Sequence, residues 1–199
     1  MNSYQWIATG CVSLTVASIA LAAPSGPILP GQVRELFATP DSLGSLAIGM
    51  AEGTRTVDGG KTAIWRTHID PGNGARNQGT FSNQVDGRNP EEADRLQLER
   101  VRNFAGELLT DEPDLTPLEL LGGADLYNQA PRAAAVYAEH LQDAKAKGLS
   151  EKEAIIEARV NSFFTPEGKL DAPGLRNDVS FVKHDQGRRM SEIEKALKR

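Results

Sequence analysis

Apolar side chains recur at helical spacing along most of the chain, and the clearest early instance comes just before a glycine-rich stretch. Four apolar residues at i, i+3, i+4 and i+7 share one helical face: Leu43, Leu46, Ala47 and Met50. The Thr39-Pro40-Asp41 run supplies an N-cap, a proline at the first helical position and an acid in the first turn. Because Gly53 follows as a stop signal, the pattern predicts a helix over residues 41–52.

The later part of the chain shows the same helical spacing together with capping signals. The runs Asn89-Pro90-Glu91-Glu92 and Ser150-Glu151-Lys152-Glu153 each match a capping box, which marks the start of a helix. A short helix is also predicted earlier, over residues 32–37. The later helices are predicted over residues 89–109, 132–147, 154–163 and 185–198. A further helix is predicted to begin at Thr116-Pro117 and to contain Leu118, Leu120 and Leu121.

Residues 53–87 form a different kind of segment, the Gly-rich insert, which holds seven of the 19 glycines and little aliphatic periodicity. Residues 57–61 and 70–74 are turn signals, and residues 62–67 alternate weakly, as a strand does. The insert also contains Trp65 and Phe81 and carries little charge, which favours an ordered segment. We therefore predict an α+β, mostly helical fold with a small β or glycine-rich insert after the first long helix.

The first 22 residues carry no charged side chain and include an apolar run that ends in Ala20-Leu21-Ala22-Ala23-Pro24. Small residues at Ala20 and Ala22 match the cleavage site of a secretory signal peptide, which we predict over residues 1–22. The alternative is an uncleaved N-terminal anchor. Either way, the rest is expected to be exported, to the periplasm, the cell wall or the extracellular space. Residues 23–38 are interpreted as a lead-in segment and residues 39–199 as the main domain.

The charge balance narrows the classes of partner and chemistry. With 22 Lys and Arg against 27 Asp and Glu, the net charge is −5, which argues against a nucleic-acid-binding protein. Cys11 is the only cysteine and lies in the predicted signal peptide, so disulfides and cysteine nucleophiles are excluded from the exported part. The three histidines are far apart in sequence, so neither a metal site nor a cofactor is expected.

Glu52 is the main candidate for catalytic chemistry, because it ends the first long helix beside apolar residues and directly precedes Gly53. The negative end of a helix dipole and poor solvation both raise the pKa of a carboxyl group. A raised pKa suits a general acid that protonates a glycosidic oxygen near neutral pH. From position alone, a solvent-facing glutamate in a fraying last turn remains the alternative.

The local sequence around Glu52 adds a family resemblance. Ala51-Glu52-Gly53-Thr54 at the end of an apolar helix, followed by a glycine-rich region and then helices, resembles the lysozyme-like superfamily, above all phage-type muramidases and lytic transglycosylases. Residues 79–84 are similar to the Gly-aromatic-x-Gln segment of that superfamily's cleft, with one more residue between Phe81 and Gln84. The resemblance implies a lysozyme-like catalytic domain over residues 39–199.

The activity implied by the resemblance is cleavage of the β-1,4 bond between N-acetylmuramic acid and N-acetylglucosamine in peptidoglycan, with Glu52 as the proton donor. A hydrolase needs a second carboxylate that activates water or acts as the nucleophile, and Asp58 and Asp70 are the candidates. Each of the two is also typical of a turn-forming aspartate. If neither approaches Glu52, the transglycosylase route is favoured, in which the sugar's own 6-hydroxyl attacks.

Other residues of the Gly-rich insert are candidates for substrate binding. Trp65 and Phe81 either stack on sugar rings or form the insert's own core. His68 has no spaced partner in the sequence and is more typical of a structural residue. The residues that offer hydrogen bonds to hydroxyl or N-acetyl groups are Thr54, Thr62, His68, Asn77, Gln78, Ser82 and Gln84.

Three further expectations remain open from the sequence. Chitin or chitosan is an alternative substrate on the same scaffold, and a non-catalytic glycan-binding envelope protein is an alternative function. The expected partner is peptidoglycan or a related β-1,4 polysaccharide, bound by a monomer, with no nucleic acid and no membrane apart from signal-peptide targeting. The run Asp185-Gln186-Gly187-Arg188-Arg189 either closes a salt-bridge network onto the core or reaches the cleft.

Overall fold

The computed structural model describes residues 26–70, 74–84 and 88–199. The predicted signal peptide, its cleavage site and Cys11 lie outside the described residues, as do the centre of the predicted turn at 70–74 and the end of the Gly-rich insert. Within the described part of the chain, no helix has the length and hydropathy needed to cross a bilayer.

The described residues form helices and one small sheet, which confirms the prediction of a mostly helical α+β chain. A two-stranded antiparallel sheet pairs β1 with β2 in the register His68↔Asn77 and Ile69↔Arg76. A single 3-10 turn covers Pro173–Leu175. The elements are α1 Pro30–Leu36, α2 Leu43–Glu52, α3 Ala63–Arg66, β1 His68–Ile69, β2 Arg76–Asn77, α4 Pro90–Asp111, α5 Pro117–Gln129, α6 Pro131–Ala134, α7 Tyr137–Ala146, α8 Glu151–Asn161 and α9 Val179–Leu197.

Several helix starts follow the capping chemistry of the sequence. The Asn89 side chain accepts a hydrogen bond from the Glu92 backbone N–H at 2.9 Å, and a capping box joins Thr116 to Glu119 at the start of α5. α2 begins two residues later than predicted. The Ser42 hydroxyl accepts a bond from the Thr39 N–H at 2.9 Å, so residues 39–42 form a turn before the helix.

Three predicted elements differ from the structure, two because of tertiary packing and one because of a local cap. Residues 62–67 contain the helical turn α3 instead of a strand, which turns Trp65 inward to 8% exposure. The predicted helix 132–147 is divided into α6 and α7, and the Tyr137 ring after the break is fully buried against Gly123. α9 begins at Val179 because Asp178 caps it, although its first turns show little apolar periodicity.

The described part of the predicted lead-in belongs to the fold. Ile28 is 2% exposed and its N–H donates to the Leu115 carbonyl at 2.8 Å. Val33 and Phe37 are also buried, so α1 packs its apolar face into the core. The core itself surrounds α5, in which every residue from Pro117 to Leu126 is buried. The helices α2, α4, α8 and α9 pack around α5, so polar side chains on its buried faces need partners from these neighbours.

Gly49 sets how closely α2 approaches the Gly-rich insert. Its carbonyl accepts from the Thr54 and Arg55 N–H groups at 2.9 and 3.1 Å. A Cβ on Gly49 would lie 2.4 Å from Arg55 Cγ and 2.8 Å from Thr80 Cγ2. Only a glycine therefore allows the insert to fold back onto the end of α2 at this distance.

We expect Gly49→Ala to lower the free energy of unfolding by about 1–3 kcal/mol, because the added methyl overpacks a buried contact. Gly106→Ala is the matched control, since a Cβ there meets nothing within 4 Å. Alanine in the middle of α4 is expected to stabilise the protein by up to about 1 kcal/mol. Urea denaturation followed by circular dichroism measures both. A Gly49→Ala protein as stable as the wild type would contradict the close approach.

Candidate functional site

One cleft of about 840 Å³ collects most of the polar side chains singled out above. The Gly-rich insert contributes His68, Asp70, Asn77, Ser82, Asn83 and Gln84 to it. The remaining lining comes from Glu52, from α4, α5, α6 and α9, and from Ala130, Phe163 and residues 171–175. The predicted catalytic glutamate therefore lies on the same cleft as the insert that follows it in sequence.

Glu52 is held by two side chains from distant parts of the chain. Its Oε1 accepts from Asn128 Nδ2 at 2.9 Å and from Arg189 Nη2 at 2.6 Å. The side chain is 15% exposed. Gly53 adopts a φ of +77° and ends α2 directly after Glu52, as the sequence predicts. The carboxylate is thus fixed at the helix end by an ion pair and an amide.

The ion pair with Glu52 continues into a buried row of charges. Arg189 donates from Nε to Asp125 Oδ2 at 2.8 Å and from Nη2 to Asp125 Oδ1 at 2.7 Å. Asp125 Oδ2 also accepts from Arg159 Nη2 at 2.8 Å, and Arg159 Nε donates to Gln186 Oε1 at 2.6 Å. The negative charges of two carboxylates and the positive charges of two guanidinium groups therefore cancel along a row from the cleft to the centre of α5.

The pKa values in this row follow from burial and from the neighbouring charges. Burial alone raises the pKa of Asp125, but the Arg189 and Arg159 guanidinium groups lower it overall. Burial also opposes the charge of Arg189, yet Asp125 and Glu52 raise its pKa further above the ordinary range. Arg189 is therefore a permanent cation beside Glu52.

The run at 185–189 combines both roles that the sequence left open. Gln186 and Arg189 of α9 are buried and belong to the row of charges that includes Asp125. Arg189 also pairs with Glu52 on the cleft. The neighbouring Arg188 donates to the Ala51 carbonyl at 2.9 Å and pairs with Asp185 at 2.9 Å. α9 thus fixes the end of α2 from both sides of Glu52.

Asn128 links Glu52 to the Gly-rich insert and to α4. Its Nδ2 donates to the Phe81 carbonyl at 2.9 Å as well as to Glu52, and its Oδ1 accepts from Gln97 Nε2 at 3.1 Å. All the polar atoms of this amide are therefore occupied by protein groups. Nothing in the sequence marks Asn128 as a site residue, because 76 residues separate it from Glu52.

The structure brings only one of the two candidate second carboxylates to the cleft. Asp70, at the end of β1, lines the cleft together with Glu52. Asp58 is exposed, does not line the cleft, and accepts a bond from the Thr56 hydroxyl within its turn. That bond, with backbone N–H groups of the same turn, lowers the pKa of Asp58. Asp58 therefore has the turn-forming role that was its alternative interpretation.

The two aromatic residues proposed for sugar stacking belong to the insert's own core. Phe81 is 1% exposed and Trp65 is buried, with its Nε1 donating to the Thr80 hydroxyl at 3.3 Å. Neither ring lines the cleft. Tyr127 does so instead, and its ring stacks on Phe104 with centroids 4.5 Å apart. No sequence signal marks Tyr127 as a cleft residue, because an aromatic residue in a helix is typical of core packing.

The polar residues proposed for substrate binding also divide into those that line the cleft and those that do not. Thr54 is buried, and its hydroxyl contacts the Thr80 carbonyl at 2.5 Å. The Thr62 hydroxyl donates to the Gly53 carbonyl at 2.8 Å, and neither threonine lines the cleft. Their predicted role in substrate binding is therefore corrected to a role in folding the insert. Gln78 is buried and does not line the cleft, which is lined by His68, Asn77, Ser82 and Gln84.

Asp94 on α4 fixes the segment that carries Phe81. Its Oδ1 accepts from the Thr80 N–H at 2.5 Å, and its Oδ2 accepts from the Thr80 hydroxyl at 2.9 Å and from Trp65 Nε1 at 3.4 Å. Burial raises the pKa of Asp94, against the lowering effect of these hydrogen bonds. The Phe81 carbonyl is thereby positioned to accept from Asn128.

The site therefore consists of one carboxylate held by an amide and a guanidinium, two further carboxylates on the same cleft, Asp70 and Asp171, and an amide-rich lining. Across residues 26–70, 74–84 and 88–199, no three His, Cys, Asp or Glu side chains are grouped as metal ligands. We find no match to this chain among protein-family models, curated proteins or solved structures.

Proposed function

We propose that the protein is an exported glycosidase that cleaves the β-1,4 bonds of peptidoglycan, with Glu52 as the general acid. The observation that carries the proposal is the position of Glu52, fixed at the end of α2 on a cleft that also contains Asp70. A pair of carboxylates on one cleft is the basic requirement of glycoside hydrolysis. The proposed fold is lysozyme-like, with the glutamate at a helix end before the Gly-rich insert.

The hydrogen bonds of Glu52 leave one oxygen for proton transfer. Asn128 and Arg189 both donate to Oε1, whereas Oε2 has no partner among the described residues. A protonated Glu52 can keep both bonds at Oε1 and carry its proton on Oε2. Because Oε1 is held from two sides, the carboxyl group that would carry the proton is positioned before the substrate arrives.

Asp70 supports the hydrolase over the lytic transglycosylase within this proposal. A carboxylate on the same cleft can activate a water molecule or act as the nucleophile at the anomeric carbon. The lining also fits a polar sugar chain, because side-chain amides offer both a donor and an acceptor to hydroxyl and N-acetyl groups. Besides Asn128, the amides that line the cleft are Asn77, Asn83, Gln84, Gln97 and Gln129.

The proposal is tested by incubating the wild-type protein with purified peptidoglycan, with chitin and with chitosan, and by analysing the released fragments by mass spectrometry. Soluble muropeptides with reducing ends are expected from peptidoglycan. Anhydro ends would assign the transglycosylase instead, and release from chitin or chitosan alone would change the substrate. If no polymer releases fragments, the enzymatic function is wrong.

We expect Asp70→Asn to slow fragment release about 10²- to 10⁴-fold, because it removes the group proposed to activate water or to attack. Asp58→Asn is the matched control, since Asp58 is exposed and does not line the cleft. It is expected to leave the rate unchanged. Equal rates for the Asp70→Asn variant and the wild type would remove Asp70 from the mechanism and favour the single-glutamate transglycosylase.

A second candidate function is a glycan-binding envelope protein without catalytic activity. The observation that favours it is the ion pair between Glu52 and Arg189 at 2.6 Å, since such a pair also has a purely structural use. Pull-down of the protein with insoluble peptidoglycan, with no fragment release on prolonged incubation, would support this function. Fragment release would exclude it.

A further inference from the structure

A second group of reactive side chains lies on the insert's part of the cleft. The Ser82 hydroxyl oxygen is 3.1 Å from His68 Nε2, and both residues line the cleft and are half-buried. The strand pairing places His68 directly opposite Asn77, whose Nδ2 lies 3.4 Å from the Ser82 oxygen. The sequence shows no spaced partner for His68, because 14 residues separate it from Ser82.

The contacts of His68 determine which of its ring nitrogens can accept a proton. Nδ1 is 3.0 Å from the Ile64 carbonyl oxygen, which is only an acceptor, so Nδ1 carries the hydrogen in this contact. In the neutral ring, Nε2 is then unprotonated and accepts from the Ser82 hydroxyl. A serine paired with a correctly oriented imidazole is the arrangement that activates a hydroxyl as a nucleophile.

The backbone at Ser82 gives an independent sign of a functional position. Its φ is +52°, a left-handed conformation that few residues other than glycine adopt. The short loop that contains it is closed by the Gln78↔Asn83 bridge. Strained backbone of this kind is found preferentially at active sites, where it presents one side chain in a fixed direction.

We propose that Ser82 and His68 form an acyl-transfer site that hydrolyses carboxylic esters of polar alcohols. Ser82 Oγ bonds to the ester carbonyl carbon while its proton moves to His68 Nε2, and the carbonyl oxygen becomes an oxyanion that accepts from Asn77 Nδ2. The ester C–O bond then breaks, and the alcohol leaves with the proton from His68. Water hydrolyses the acyl-serine, releasing the carboxylic acid and restoring both side chains.

The surroundings of the dyad fit this class of ester. Asn77 lines the cleft beside the dyad, and its Oδ1 is buried without a hydrogen-bond partner among the described residues. The amide-rich cleft suits the alcohol part of the ester, for example a sugar hydroxyl. The sugar as the alcohol rests on the proposed function, whereas the reactivity of the dyad does not.

The test uses p-nitrophenyl acetate as the ester and a fluorophosphonate as the covalent probe of activated serines. The wild type is expected to hydrolyse the ester and to be labelled on Ser82, as located by peptide mass spectrometry. Ser82→Gly is expected to lose labelling and activity while keeping the fold, because glycine adopts a positive φ without strain. His68→Ala is expected to slow hydrolysis about 10²-fold or more.

Ser191→Ala and His184→Ala are the matched controls, since neither residue lines the cleft. Both are expected to keep the wild-type rate, and circular dichroism checks that each variant is folded. Absence of labelling on Ser82, or ester hydrolysis that survives Ser82→Gly, would overturn the proposal. This readout is separate from glycan release, so either activity can fail without the other.

Discussion

Glu52→Gln is expected to slow peptidoglycan cleavage about 10²- to 10⁴-fold, the usual contribution of a general acid. Glutamine has the shape of glutamate, and its carbonyl oxygen can still accept from Asn128 and Arg189 at the positions where Oε1 accepts now. It cannot donate a carboxylic proton to a leaving oxygen. The variant therefore removes the chemistry while keeping the contacts that hold the end of α2.

The measurement compares the rate of muropeptide release with the binding of the same variant to insoluble peptidoglycan. Binding is expected to be retained, because Glu52 is one of many polar groups on the cleft. Glu107→Gln, an exposed change on α4, is the matched control and is expected to keep the wild-type rate. A Glu52→Gln protein that cleaves peptidoglycan at the wild-type rate would refute Glu52 as the proton donor.

Asp125→Asn is expected to lower the free energy of unfolding by about 3–5 kcal/mol, the cost of removing one partner from a buried ion pair. The Asp125 carboxylate accepts from both Arg159 and Arg189, and all three side chains are at most 4% exposed. An asparagine has one acceptor oxygen and no charge, so one guanidinium loses its counterion in a region without water access.

Chemical denaturation of the wild-type and Asp125→Asn proteins measures the loss in free energy of unfolding. Glu192→Gln is the control. Glu192 pairs with Lys195 at 2.6 Å on the surface of α9, so its replacement is expected to change stability little. A loss of less than about 1 kcal/mol for Asp125→Asn would show that the buried row of charges is not a major source of stability.

The acid stability of the two proteins gives a second readout. Because the pKa of Asp125 is lower in the folded than in the unfolded state, its stabilising effect is present above the ordinary aspartate value of 3.8 and is lost as the pH falls through the folded-state pKa. The Asp125→Asn protein lacks this titration. Its stability relative to the wild type is therefore expected to be least impaired at the lowest pH.

Local chemistry in the sequence was enough to place most of the helices. The capping run at Asn89 starts α4, the apolar face from Leu43 to Met50 belongs to α2, and Gly53 ends that helix beside Glu52. Helix spacing, caps and stop signals act within a few residues, so they can be read along the chain. The same reasoning was wrong for residues 62–67, where burial of Trp65 decides the conformation.

The candidate site depends on tertiary contacts much more than the helices do. The sequence indicated Glu52, with Asp58 and Asp70 as equal candidates for the second carboxylate. It also suggested that the run at 185–189 either builds a network or reaches the cleft. It did not reveal that Arg189, 137 residues away, would pair with Glu52, or that Asn128 would hold the same oxygen. The packing of α2, α5 and α9 determines these partners. A buried polar group forms hydrogen bonds with the groups that the folded chain brings next to it.

The sequence by itself thus determined the helical pattern, the glycine-rich character of the insert and the position of Glu52 at a helix end. Only the tertiary structure decided that Asp70 shares the cleft with Glu52 while Asp58 does not, and that Ser82 contacts His68. The physical reason is the range of the interactions: periodicity and capping act between neighbours in sequence, whereas a site is assembled from residues that only the folded chain brings together.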